Sequence, residues 1–91
     1  MPVRKNIPEA VKVRERFVRS LIELQYRGLV STKNEFCKEV GLSNSGNLLR
    51  MQNAQREPGV TNILLLHKKY GVSLDWLMLG KGEFLEKENK K

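Results

Sequence analysis

Ninety-one residues hold only one cysteine and one histidine, the side chains that most often ligate transition metals. Paired Cys or His spacing is therefore missing, and a zinc-type site fails on ligand count. Cys37 cannot close an internal disulfide, and a lone thiol at helical spacing reads as a small buried hydrophobe in a reducing cytoplasm. No histidine–carboxylate cluster and no glycine-rich phosphate loop after a strand can be found, so neither an enzyme nor a cofactor is expected. Long apolar runs are lacking too. Stretches such as Ile63 to Leu66 fall far short of the roughly 18 residues that a membrane helix needs. The N-terminus has no apolar core or small-residue cleavage site of the signal-peptide kind. These absences lead to the expectation of a cytoplasmic protein with no membrane partner. With six aromatic residues and no clustered stacking platform, RNA is disfavoured as well.

Positive charge is in surplus. Seventeen basic residues against ten acidic give +7 and a pI near 9.9, a balance that favours polyanions without choosing among DNA, RNA and anionic membranes. The cations spread over the first helical region (Arg4, Lys5, Lys12, Arg14, Arg16, Arg19) and a second region holding Arg50 and Arg56. Part of this is a solvated face.

The pattern predicts an all-α fold of five helices with no sheet. Residues 1–8 form a polar arm, 9–85 one domain and 86–91 a mixed-charge tail that frays. Pro8 suits the first turn of a long first helix that turns helical in pattern from Glu9 and ends near Tyr26, with Ala10, Val13, Phe17, Leu21 and Leu24 inward, Val18 and Ile22 widening the stripe, and Gly28 as its stop. After a polar loop ending in Pro58, a fourth helix would bury Val60, Ile63, Leu64, Leu66 and Tyr70, with His67 half-buried among them. Ser73 caps a fifth helix from Leu74 to Leu79, with Asp75 near its positive end. Trp76 and Leu77 close the core there. Met78 and Leu79 stay partly exposed as a candidate dimer face.

Between these lies TKNEFCKEVGLSNSGNLLRM, residues 32–51. Thr32 and Glu35 make a capping box, and Phe36, Cys37 and Val40 recur on one helical face. Gly41 can end that helix in the left-handed conformation. Leu42 plugs the corner, and Ser43 or Ser45 can cap a second helix carrying Leu48, Leu49 and Met51. Two short helices across a tight turn, the first with a small residue (Cys37) at the crossing, are the pattern of a DNA-reading helix-turn-helix.

Together with the closing KYGVSLDWLMLGKGE, this unit resembles the Xre or lambda-repressor-like helix-turn-helix family, which includes the DNA-binding domains of phage repressors. The resemblance spans roughly residues 10 to 84. It implies a bacterial or phage transcriptional regulator, a repressor that inserts its third helix into the major groove and blocks polymerase by occupancy. It also implies a homodimer on half-sites about 34 Å apart. One departure stands out. The family's usual frame sets apolar residues where this chain has Asn47 and Arg50, and a one-residue shift restores the stripe with Leu48 and Met51. That shift implies one extra residue around Asn44 to Gly46.

With Leu42, Leu48 and Met51 inward, the opposite face presents Asn44, Ser45, Asn47 and Arg50 as base readers, since arginine forks onto guanine and asparagine onto adenine. Arg50 is the foremost candidate. Gly46 either lets the backbone approach the groove wall or relieves crowding at a helix start. Phosphate contacts are expected from Lys33 and Asn34 at a helix N-terminus and from Asn53, Gln55 and Arg56 in the following loop. The rival reading is an antitoxin or another protein-binding module on the same scaffold, with a regulatory protein as partner. An acidic or apolar recognition face would favour it, and this face is polar and basic.

Overall fold

The structure is a computed structural model that describes residues 8–86; the arm at 1–7, with Arg4 and Lys5, and the tail at 87–91 lie outside the described residues. Five helices follow in chain order: α1 (Pro8–Tyr26), α2 (Lys33–Glu39), α3 (Ser45–Gln52), α4 (Val60–Tyr70) and α5 (Leu74–Leu79). The regular secondary structure of the described residues is all helical, with one isolated antiparallel bridge, Val72 to Leu85. None of these helices is long and apolar enough to cross a membrane.

Each helix takes its limits from local chemistry. Thr32 Oγ1 accepts from the Glu35 amide at 3.0 Å, which starts α2. The expected capping box is only half made. Glu35 reaches one residue further back and accepts from the Ser31 amide, 3.0 Å away. Gly41 ends α2 at φ +82°, with its amide and that of Leu42 returning to Lys38 O and Cys37 O. The six-residue span of the second bond is the Schellman closure. Ser73 caps α5 by accepting from the Trp76 amide, as the sequence leads one to expect.

The core is one cluster. Phe17, Leu21 and Leu24 of α1 meet Phe36, Cys37 and Val40 of α2, Leu42 of the turn, Leu48 and Met51 of α3, Leu66 of α4 and Leu77 of α5. Phe36 stands edge-on to Phe17 at 6.0 Å and stacks with Tyr70 at 6.3 Å. α1 packs along α5 and α3, and α2 packs against α3 and α4.

Several expectations need correction. Ile22 is 62% exposed, because the covered stripe of α1 runs through Phe17, Ser20, Leu21 and Leu24 and no element lies over the far side. Val60 and Leu64 are exposed as well, one turn apart on the outward face of α4. The inward face of α4 is built on Asn62 and Leu66, with Ile63 and Tyr70 partly buried. Asn62 clamps two elements, donating to Val40 O at 2.8 Å and accepting from the Gly59 amide at 2.9 Å. α1 begins at Pro8, as the suitability of Pro8 for a first turn leads one to expect, and so takes in the last residue of the expected arm. Glu86, expected in the tail, donates its amide to Gly71 O at 2.8 Å and so belongs to the folded unit. Phe84 is buried against Trp76, 4.7 Å away and edge-on, with the Arg27 guanidinium 5.2 Å over its ring. His67 is partly buried, its Nδ1 2.9 Å from Val72 O.

Candidate nucleic-acid interface

α3 and its flanks carry no acidic residue from Val40 through Arg56. Leu48 and Met51 are buried, which fixes the rotation of α3 about its axis. At about 100° per residue, Gly46, Leu49, Arg50 and Asn53 then lie on the side away from the core, with Ser45 and Asn47 on the two flanks. Burial agrees: Ser45 and Asn47 are half-buried, and the outward four are exposed.

Two of the expected base readers have structural work. Asn44, rather than Ser43 or Ser45, is the N-cap of α3, and its Oδ1 accepts from the Asn47 amide at 3.2 Å. Its carboxamide oxygen is thereby occupied in the free protein. Asn47 donates through Nδ2 to Ser43 Oγ at 2.8 Å. A two-pronged contact to adenine needs that same donor, so Asn47 would have to release Ser43 to make it. Ser43 thus orients Asn47 instead of capping. Arg50 is exposed, and its guanidinium has no hydrogen bond or ion pair among the described residues. Its five donors are all open.

Gly46 sits where a Cβ would come 3.0 Å from Asn44 Oδ1. Of the two roles considered for it, room for the capping carboxamide is the one this geometry supports.

The expected phosphate contacts fall into two groups. Lys33 and Asn34 are exposed in the first turn of α2, where backbone amides lack helical acceptors. Asn34 lines a groove of about 350 Å³ together with Lys38, Leu42, Ser43 and Asn44. On the other side, Asn53 is the C-cap of α3, and the Gln55 amide donates to Arg50 O at 2.7 Å. Asn53 and Gln55 are exposed there and Arg56 is half-buried.

The acids nearest this surface are engaged elsewhere. Glu57 pairs with Arg14 at 2.6 Å, Glu39 pairs with Lys69 at 3.2 Å, and Glu35 holds the Ser31 amide. Lys33, Lys38, Arg50 and Arg56 carry no ion pair among the described residues. Among the described residues the cations of this surface have no ion-pair partner, and its neighbouring carboxylates have partners elsewhere.

The expected set omits Lys38 and Leu49. Lys38 lies four residues after Asn34, and helical spacing is the signal that brings the two to one face. For Leu49 the signal is the Leu48–Leu49 doublet, of which only one member can point at the core. Burial raises the Cys37 thiol above its ordinary 9.0, while nearby Lys33 pulls the other way. That leaves the thiol protonated and inert at neutral pH, a packing residue behind the interface. The comparisons with known proteins yield no matching family model, curated protein or solved structure.

Proposed function

We propose that this chain is a sequence-specific double-stranded DNA-binding protein of the lambda-repressor-like helix-turn-helix type, acting as a transcriptional repressor. α2 lies across the phosphate backbone, and α3 enters the major groove with Arg50 toward base edges. The observation that carries this reading is α3 itself. It is an acid-free helix, fixed in rotation by buried Leu48 and Met51, that holds outward an arginine with no ion pair among the described residues. Lys33, Lys38 and Arg56 supply sequence-independent attraction to phosphate, and Arg50 supplies selectivity. Repression follows from occupancy: a bound domain excludes polymerase without chemistry of its own, so no enzymatic activity or cofactor is proposed.

The test is selection of bound sequences from a random duplex pool, with wild type and Arg50→Ala side by side. Wild type should enrich a roughly palindromic motif. The variant should lose preference at one position of each half-site, worth about 1–3 kcal/mol per site. Unchanged affinity and base preference in Arg50→Ala would remove α3 as the reading helix. Salt-sensitive binding to any duplex with no enrichment would shift the reading to a protein-binding or antitoxin module.

A further inference from the structure

Leu49 stands where a core residue does not belong. It is 53% exposed, on the same outward side of α3 as Arg50, and does not join the apolar cluster. Its helical neighbours three and four residues away are Ser45, Gly46, Gln52 and Asn53, so no apolar patch surrounds it. A protein-docking face calls for contiguous apolar area, and a lone leucine among polar residues does not provide it. What it fits is a small, isolated apolar group presented by an otherwise polar, anionic surface. The DNA major groove displays one such group, the 5-methyl of thymine.

We propose that Leu49 reads the 5-methyl group of a thymine in the major groove, beside the base met by Arg50. The inference rests on the DNA-binding reading above and adds a base identity to it. Leu49 and Arg50 lie about 100° apart around α3, which sends the two side chains to different bases instead of one. Leu49 selects by burying a methyl group, whereas Arg50 selects by donating hydrogen bonds. The two preferences are therefore separable by chemistry.

The experiment takes the duplex enriched by the full wild-type chain and replaces each thymine in turn by deoxyuridine, which removes the methyl and leaves the pairing edge intact. Wild type should lose about fourfold in affinity at one position of each half-site, the value of one buried methyl-sized group. Leu49→Ala should bind the thymine and uracil duplexes alike there, while keeping the base preference that depends on Arg50. Alanine favours the helix at this exposed position, so a retained circular-dichroism spectrum separates lost contact from lost fold. An enriched site at which no methyl matters overturns the assignment and leaves DNA reading intact. So does a methyl effect that survives in Leu49→Ala. Failure to enrich any site overturns both.

Discussion

Asn62 holds two backbone groups at once, and no apolar residue could take its place. Its carboxamide donates to Val40 O at the end of α2 and accepts from the Gly59 amide just before α4. This buried contact sets where the turn toward α3 begins. Asn62→Ala leaves Val40 O without a donor in the interior, where an orphaned carbonyl costs more than a hydrogen bond gains. Urea unfolding should show a loss of about 2 kcal/mol, and a change too small to resolve would remove the clamp from the account. Two other buried groups govern the response to alkali. Burial raises Cys37 above 9.0; burial, with help from Glu39 and Glu35, raises Tyr70 above 10.0. The Tyr70 hydroxyl is buried with no hydrogen-bond partner among the described residues. Both groups are neutral when protonated, so above these ordinary values the unfolded chain ionises first. Their contribution is whole below about pH 9 and disappears as pH climbs through the raised folded values. Stability to urea should fall as pH rises above 9.0 and further above 10.0, the ordinary values of the two groups, and Cys37→Ala with Tyr70→Phe should flatten that fall. An equal slope in the double variant would assign the alkaline loss to other groups.

At the scale of elements, α2 and α3 close with the same hydrogen-bonding pattern but different residues. After α2, Gly41 takes the left-handed position at φ +82°, and a Cβ there would lie 3.0 Å from Leu65 Cδ1. After α3, Ala54 takes the equivalent position at φ 62°, with its amide on Met51 O and the next amide on Arg50 O. A left-handed residue with a Cβ carries about 1–2 kcal/mol of strain. Gly41→Ala should therefore destabilise by at least that much, and Ala54→Gly should stabilise by about 1 kcal/mol. Thermal unfolding of the pair checks both signs; a gain from Gly41→Ala would contradict the geometry. The glycine closure of α2 was legible in the sequence because Gly41 announces it. The closure of α3 was not, because alanine gives no such signal. The N-cap of α3 was ambiguous for a related reason. Ser43, Asn44 and Ser45 can all cap, and only the backbone decides that Asn44 does, with Ser43 turned to Asn47. Periodicity found the buried sides of α2 and α5 and misplaced Ile22, Val60 and Leu64. For Ile22 and Leu64 an apolar run offers two stripes and a small domain covers one, whereas Val60 stands alone at the start of α4. Asn62 and Phe84 escaped notice because one is polar and the other, beside Leu85 only, lies in a charged segment.

At the scale of the whole molecule, a net charge of +7 on one small domain favours polyanions, and on the proposed DNA-binding reading a single α3 would read too few base pairs for a regulator. Doubling the reading surface requires a second copy. Met78 and Leu79 remain exposed on α5. Two copies meeting through α5 would bury these side chains and present two α3 helices to successive turns of the groove. The double variant Met78→Glu, Leu79→Glu should fold, since neither residue belongs to the core cluster, and should sediment as a monomer. Its binding to a two-half-site duplex should weaken, and the slope of log affinity against log salt should fall to about half. That slope counts the phosphates neutralised at once, and a monomer neutralises one copy's share. A wild type that sediments as a monomer at high concentration and on operator DNA would exclude this arrangement. A variant that keeps the full salt slope would show that the second copy is held through some other surface.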